Sequence, residues 1–196
     1  MTLWCVMLIS QAYLIRKGLK QTHRLVGKAS YALVPFIAMA TVNLVHFRMK
    51  GLAGRFSNVD LYFTALMLNA VVVFVVFYGL AIYHRRRPPI HARYMVCTAF
   101  PLFTPVTDRL IFNHFPSLLN HVPILDGSPL VQVFGFLLAD ALLLALVIWY
   151  WRANRRKDVF PMALGLMMLY HVSVLTLYRV PFWKSFGEWF VKMPLS

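Results

Sequence analysis

Apolar residues in this chain form long runs, and most charged residues fall in the short stretches between them. A helix needs about 20 such residues to cross roughly 30 Å of hydrocarbon, because lipid offers no partner for free backbone N–H and C=O groups. Five runs reach that length and predict membrane-crossing helices, over residues 29–47, 61–83, 94–113, 129–151 and 159–180. A sixth run, 1–15, is short, and we predict that it also crosses because Arg16 and Lys17 can extend toward the head groups.

The pattern therefore predicts an all-α fold, a polytopic transmembrane helix bundle of about six spans over residues 1–180. The chain start has neither a charged leader region nor a small-residue cleavage pattern, so we expect the first run to be retained as a helix. The tail, 181–196, has charged residues opposite an apolar arc that consists of Phe182, Phe186, Trp189, Phe190 and Met193. This arrangement predicts an interfacial amphipathic helix in the outer head-group layer, with partner binding as the alternative.

The composition agrees with a membrane protein. Apolar residues make up 60% of the chain and charged residues 13%, about half the share found in soluble domains. The net charge of +14 would suggest nucleic acid in a soluble protein, but no basic stretch adjoins a polar domain that would dock a duplex. We therefore predict membrane lipid, and no nucleic acid, as the partner. Cys5 and Cys97 lie in apolar runs and predict neither a disulfide nor a metal site.

The distribution of Lys and Arg orients the bundle, because cytoplasmic loops accumulate these residues. Counted in chain order with 1–15 as the first run, the loops after the first, third and fifth runs hold 13 of the 20 basic residues, and the opposite side holds 7. We call the side with 13 the inner side. Six crossings would place both termini outside, and the N-terminus alone would move inside if the first run does not cross.

Strongly polar residues at membrane depth are few, and they concentrate in the outer half of the bundle. Asp140 falls at the midpoint of the run 129–151, and His171 falls near the midpoint of the run 159–180. The others are Asn43, Asn69, Asp108 and Arg109. Such groups cost a few kcal/mol each, so they normally face the bundle interior.

This set has two interpretations. In the first, Asp140 pairs with His171 or Arg109, and the asparagines hydrogen-bond across helices as packing contacts. In the second, the residues line a polar cavity open to the outside, where Asp140 and His171 relay protons or hold a ligand. Pro101 and Pro105 favour the cavity and predict a kink in the fourth run, because proline frees backbone carbonyls.

Histidines suggest a further site. A b-type haem in a helical bundle needs two neutral imidazoles from facing helices, and His46, His114 and His171 would supply an outer pair. On the inner side, Pro88 and Pro89 precede His91 and Arg93 near a helix N-terminus, where anions are favoured. A lipid phosphate or a quinone head group would fit there. The alternative is that these cations only face anionic lipid.

Two short motifs on the inner side carry a resemblance. His23, Arg24 and Gly27 form a His-Arg-x-x-Gly turn, and His91, Arg93 and Met95 form a His-x-Arg-x-Met helix entry, followed about a helix length later by Arg109. Over residues 11–113 the chain resembles an uncharacterised bacterial family of multi-pass membrane proteins. The resemblance implies a helical bundle in a bacterial inner membrane and brings no established activity. A looser similarity to bundled haem-b proteins suggests a redox role.

The sequence leads to a small membrane redox protein that binds haem b or quinone. Its expected iron ligands are His46, His114 and His171, while His91, Arg93 and Arg109 would contact haem propionates or a quinone. Two alternatives stay open: a carrier or binding bundle for a small or lipid-like ligand at Asp108, Arg109, Asp140 and His171, and a structural subunit of a larger membrane complex. Hydrolase and nucleotide motifs are absent from the sequence, as is a dense metal-binding motif.

Overall fold

A computed structural model describes residues 2–52, 54–155 and 158–195. Over these residues the chain forms helices α1 (Thr2–Arg16), α2 (Lys20–Lys28), α3 (Ser30–Gly51), α4 (Asn58–Tyr83), α5 (Pro88–Cys97), α6 (Phe103–His114), α7 (Gln132–Asn154), α8 (Val159–Leu177) and α9 (Pro181–Val191). Two 3₁₀ turns, Phe100–Leu102 and Pro116–His121, and a short hairpin of β1 (Ile124–Leu125) and β2 (Ser128–Pro129) complete the fold. The predicted all-α bundle is confirmed.

In the part of the chain that the structure describes, five helical segments are long and apolar enough to cross a membrane, namely α3 with α2, α4, α5 with α6, α7, and α8. The chain is a multi-pass membrane protein. The first helix, α1, has 15 residues and is therefore about 22 Å long. Its fully buried Trp4 packs edge-on against Phe74 and donates its indole N–H to Thr98 Oγ1 over 2.9 Å. These contacts dock α1 against the bundle.

Helix α4 lies at the centre of the bundle and contacts α3, α5, α8 and α9. Its sequence is apolar on every side, which is the pattern of a helix surrounded by other helices. Tyr62, Phe77 and Ala81 on α4 are fully buried. They belong to the main core together with side chains from α5, α7 and α8.

The fourth span is broken near its middle, as the two prolines predict. Helix α5 ends at Cys97, a 3₁₀ turn covers Phe100–Leu102, and α6 begins at Phe103. Pro101 and Pro105 have no N–H group, so neither can donate to the carbonyl four residues earlier in a continuous helix. The predicted kink is confirmed, and it divides the span into two short helices.

A hairpin lies over the outer end of α4. Asp126 and Gly127 form its turn with φ angles of 46° and 79°, a left-handed conformation that Gly and Asp tolerate best. The Asp126 carboxylate accepts from the backbone N–H of Asn58 over 2.9 Å and from its side-chain amide over 3.3 Å. Ser57 and Asp60 complete a capping box at the same helix end. The hairpin is thus fixed to α4.

The tail helix α9 packs on the bundle more closely than a surface anchor would. Trp183 donates its indole N–H to the Leu61 carbonyl oxygen over 3.0 Å, and Phe190 is 4% exposed. Phe182 and Trp189 point away, with 71% and 55% exposure. The single aromatic arc expected from the sequence is therefore divided between two faces, because Trp183 and Phe190 turn toward α3 and α4.

Candidate functional site

Asp140 and His171 form a hydrogen-bonded pair, which we call the dyad. His171 Nδ1 lies 2.9 Å from Asp140 Oδ2. His171 is 5% exposed and stacks on the ring of Phe136 with the centroids 4.2 Å apart, whereas the Asp140 side chain is 28% exposed. Of the two pairings expected for Asp140, the structure therefore has the one with His171. Arg109 lies exposed on α6 and is not the partner.

The dyad lies near the middle of the membrane-crossing length. Asp140 is eight residues beyond the start of α7 at Gln132, which corresponds to about 12 Å from the outer end. His171 is twelve residues beyond the start of α8 at Val159, or about 18 Å from the inner end. The two distances together match the roughly 30 Å of a bilayer core. Ionisable groups at such depth are rare and generally functional.

A second polar cluster lies closer to the outer surface. Gln132 donates from Nε2 to Asp108 Oδ2 over 2.9 Å, and Tyr62 donates its hydroxyl to Gln132 Oε1 over 3.4 Å. Tyr170 donates its hydroxyl to the Leu66 carbonyl oxygen over 3.4 Å. The side chain of Thr104 on α6 approaches the same hydroxyl. These contacts join α4, α6, α7 and α8 in the outer half of the bundle.

Helical periodicity connects the two clusters, because residues four apart lie one above the other on the same helix face. Thr104 and Asp108 have this spacing on α6, and so do Gln132 and Asp140 with Phe136 between them on α7. Tyr170 directly precedes His171 on α8. We call the whole series the polar ladder, from its outer end to the dyad: Tyr62, Gln132, Asp108, Thr104, Tyr170, His171 and Asp140.

A close contact between α6 and α7 holds the outer part of the polar ladder together. A Cβ atom on Gly135 would lie 2.5 Å from Thr107 Oγ1 and 3.1 Å from the Thr104 Cα. Only glycine fits without moving one of the two helices. This approach brings Asp108 of α6 within hydrogen-bonding distance of Gln132 of α7.

Three buried polar atoms of the polar ladder have no protein partner among the described residues: Asp108 Oδ1, Asp140 Oδ1 and His171 Nε2. A buried polar atom without a partner costs about 1–3 kcal/mol, and such atoms mark places where a ligand or water completes the site. In a neutral imidazole whose Nδ1–H donates to Asp140, Nε2 carries a lone pair. The dyad is thus arranged to accept a proton, as in a histidine oriented by a carboxylate.

The asparagines expected near the site differ in their placement. Asn69 donates its amide to Ser173 Oγ over 2.9 Å and so forms the interhelical contact that the packing interpretation proposed. Asn43 is exposed on α3, so its side chain does not line a cavity with Asp108 and Asp140 as the cavity interpretation expected. The physical reason is that α3 is apolar around its whole circumference, so the sequence does not define its inward face.

The three expected haem ligands have three different surroundings. His46 is fully buried at the outer end of α3, edge-on to Phe190 of α9 with the ring centroids 5.3 Å apart. His171 faces Asp140, and His114 is exposed at the end of α6. Within the described residues, the structure contains no group of three or more His, Cys, Asp or Glu side chains suited to a metal ion.

Arg93 is engaged on the inner side by protein groups. Its Nη1 donates to both carboxylate oxygens of Asp158, over 2.7 and 2.9 Å, and its guanidinium lies 4.1 Å from the ring centroid of Tyr150. Burial acts to raise the pKa of Asp158, but hydrogen bonds from the Val159 N–H and from Arg93 outweigh burial and lower that pKa. Arg93 therefore joins the inner ends of α5, α7 and α8, instead of reaching toward a propionate or quinone.

The motif residues near His23 and His91 also have structural contacts. Gln11 of α1 donates its amide to the His23 carbonyl oxygen over 3.1 Å and accepts from the Gly27 N–H over 3.0 Å, with the amide orientation assigned from these partners. His91 Nδ1 lies 2.8 Å from the Ala81 carbonyl oxygen. The His-Arg-x-x-Gly turn thus binds α2 to α1, a contact that the sequence did not reveal because Gln11 lies in an apolar run.

Sequence reasoning also missed Tyr62, Thr104, Gln132 and Tyr170. Their signal is weak, because single hydroxyl and amide groups at helix ends are common. The spacing of Gln132 and Asp140, and of Thr104 and Asp108, by multiples of four would have placed them on shared helix faces.

An apolar groove of about 320 Å³ lies between the broken fourth span and α7. Its lining consists of Phe100, Phe103, Leu142, Ala145, Leu146 and Trp149. These α7 residues lie on the opposite side of the helix from Asp140, as their positions at 100° per residue require. The groove suits a hydrocarbon chain and is separate from the dyad.

Comparison with protein-family models, with curated proteins and with solved structures finds no match for this chain. The resemblance to a bacterial membrane family therefore stays a prediction. Function has to be inferred from the geometry of the polar ladder.

Proposed function

We propose that this protein is a small membrane redox protein that binds a quinol or quinone at the dyad and exchanges a proton with it. The observation that carries the proposal is the buried Nε2 of His171, which has no partner among the described residues while Nδ1 is held by Asp140. A membrane-soluble ligand with a hydroxyl or carbonyl group would complete this hydrogen-bonding site.

The proton chemistry follows from the tautomer. With Nδ1–H donating to Asp140, the lone pair of His171 Nε2 accepts a hydrogen bond from a quinol hydroxyl and can take its proton. The imidazolium that forms is stabilised by the Asp140 carboxylate 2.9 Å away. The stacked ring of Phe136 keeps the imidazole in one orientation and excludes water from one of its faces.

The quinone version has better support than the haem version. The proposed iron ligands His46, His114 and His171 have separate surroundings, and Arg93 is occupied by Asp158. The dyad alone is sufficient to hold a quinol hydroxyl, whereas a haem with two axial histidines needs a second imidazole opposite His171.

On the motifs that resemble those of a bacterial family, we also propose that the protein resides in a bacterial inner membrane.

Ligand binding to the purified protein in detergent tests the proposal. A short-chain benzoquinone, oxidised and reduced, should bind the unmodified protein. Because a buried hydrogen-bonding group left without its partner costs about 1–3 kcal/mol, His171→Gln and Asp140→Asn should each weaken binding of the reduced form by at least about fivefold. His114→Gln, at an exposed histidine, is the matched control and should bind normally.

Three results would contradict the proposal: no binding by the unmodified protein, unaltered binding by both dyad variants with intact folding, or equal losses in the His114 control. Absorption spectra after haem supplementation address the other version directly. If a Soret band appears and His171→Gln abolishes it, His171 is an iron ligand. The proposal that a quinol binds its Nε2 would then be wrong.

The groove supports a second candidate function, the binding of a lipid-like ligand. Its described lining is almost wholly apolar and it opens at membrane depth, so a hydrocarbon chain fits it. Mass spectrometry of the protein released from detergent should detect retained lipid. Ala145→Trp should reduce that lipid by filling the groove, while Leu137→Trp, at a 61% exposed position of α7 that does not line the groove, should not. Equal retention in both variants would refute this function.

A further inference from the structure

The polar ladder extends from the dyad toward one side of the membrane only. On the outer side, the hydroxyls of Tyr170 and Thr104 lead to Asp108, which Gln132 holds over 2.9 Å. On the inner side of the dyad, the same helices present fully buried apolar side chains. These are Phe77 and Ala81 on α4, Leu143 on α7, and Ala163 and Met167 on α8, each with 0% exposure.

Asp108 differs from the carboxylates outside the dyad that have hydrogen-bond partners in the described chain. Asp126 binds the first turn of α4, Asp60 completes the capping box, and Asp158 is bound to Arg93. Asp108 uses one oxygen for Gln132, and its buried Oδ1 has no partner among the described residues. It is also one helical turn from Thr104, whose side chain approaches the hydroxyl of Tyr170, and the Tyr170 ring lies 5.0 Å from that of His171.

We propose that Asp108 receives the proton released by the dyad and passes it to the outer side of the membrane, through the hydroxyls of Tyr170 and Thr104. This inference rests on the proposed function for the source of the proton, whereas the residues of the proposed route are in place with or without a quinol. The apolar layer on the inner side of the dyad restricts proton transfer to the outer side, because protons cross a packed hydrocarbon interior only along polar groups or water.

The transfer is balanced without any further reactant. The ligand O–H bond breaks, an N–H bond forms at His171 Nε2, and the resulting imidazolium is paired with Asp140. The N–H bond then breaks and its proton passes to the Tyr170 oxygen, while the Tyr170 hydroxyl proton leaves the Leu66 carbonyl oxygen for Thr104, which gives its own hydroxyl proton to Asp108. An O–H bond forms at Asp108 Oδ1, and Asp108 finally releases its proton to external water. Thr107 and Gly135 act only by holding α6 against α7.

The route can be tested without any quinol, in vesicles that hold the protein in one orientation with a buffered interior. A sudden change of external pH is followed by infrared spectroscopy of the carboxyl and imidazole bands, and those of the dyad are assigned by their loss in Asp140→Asn. The dyad bands should respond to external pH and not to an equal change of internal pH. In Asp108→Asn the response should slow by at least about tenfold, because a proton acceptor is lost.

Controls separate a proton acceptor from a packing role. Asp108→Glu keeps a carboxyl group and should retain most of the rate. Thr104→Val removes one hydroxyl at nearly constant volume and should also slow the response, which keeps the test decisive if Asp108→Asn fails to fold. Glu188→Gln, an exposed carboxyl on α9, should leave the rate unaltered.

Equal rates in the unmodified protein, Asp108→Asn and Thr104→Val would overturn the route. A response of the dyad to internal pH would overturn its sidedness. Failure of quinol binding with an intact external response would refute the proposed function alone, so the two failures are distinguishable.

Discussion

Removal of the Asp158 carboxylate should destabilise the inner end of the bundle, because Arg93 would keep a buried charge without its ion pair. The Arg93 side chain is 9% exposed and its Nη1 lies 2.7 Å from Asp158 Oδ1. Loss of one partner of a buried ion pair costs about 3–5 kcal/mol. The Asp158 side chain is 37% exposed, so water screens the pair and we expect about 1–3 kcal/mol for Asp158→Asn.

The pH dependence of unfolding in detergent checks this reasoning. The pKa of Asp158 is lowered in the fold, so its carboxylate stabilises the protein above the unfolded pKa of about 3.9. That contribution is lost as the pH falls through the lower, folded pKa. The stability difference between the unmodified protein and Asp158→Asn should therefore be constant near pH 7 and shrink in acid below about pH 4.

Glu188→Gln, which removes an exposed carboxylate elsewhere, is the matched control and should alter stability little. A difference for Asp158→Asn that is negligible at pH 7, or that persists unaltered at pH 3, would refute the role of the ion pair. A stable Asp158→Asn protein that instead loses ligand binding would return Arg93 to the ligand site expected from the sequence.

Other predictions follow from single contacts and are measured by unfolding in detergent. Gly135→Ala should cost about 1–3 kcal/mol because its Cβ would overlap α6, whereas Gly165→Ala, with open space at its Cβ, should be neutral or stabilising. Trp4→Phe should cost about 1 kcal/mol through the lost indole hydrogen bond, and Trp149→Phe on an exposed face should cost less. Asp126→Ala should cost about 0.5–2 kcal/mol by removing acceptors from the first turn of α4, and equal stability would refute that capping role.

The membrane spans could be predicted from sequence because lipid leaves one local solution for a long apolar run. Four of the predicted runs coincide closely with α3, α4, α7 and α8. The break in the fourth span could also be predicted, since proline removes a backbone donor wherever it lies. These features depend on local chemistry alone, and no distant residue is needed to explain them.

Contacts between distant residues could not be predicted in the same way. Arg93 satisfied both a ligand-binding and a lipid-facing interpretation, and its ion pair with Asp158, 65 residues away, belonged to neither. The docking of α9 depends on Trp183 reaching the Leu61 carbonyl, which a periodic pattern does not encode.

The candidate site was partly predictable. Asp140 and His171 were identified because ionisable residues at mid-membrane are costly, and the sequence left two partners open for Asp140. The hydroxyl and amide groups that extend the site outward were missed. Single hydroxyl and amide groups are common in membrane helices, so they do not stand out in the sequence. Their role depends on the close approach of α6 and α7 at Gly135.

The central claim is that His171, held by Asp140, accepts a proton from a membrane-soluble ligand. The most direct test is the ¹⁵N resonance of His171 Nε2, assigned by its loss in His171→Gln and followed as a short-chain benzoquinol is added. We predict a shift from the resonance of a nitrogen with a free lone pair to that of a nitrogen that accepts a hydrogen bond from the quinol hydroxyl, with a smaller shift in Asp140→Asn. An unaltered resonance at saturating quinol, or one already protonated in the free protein at pH 7, would contradict the account.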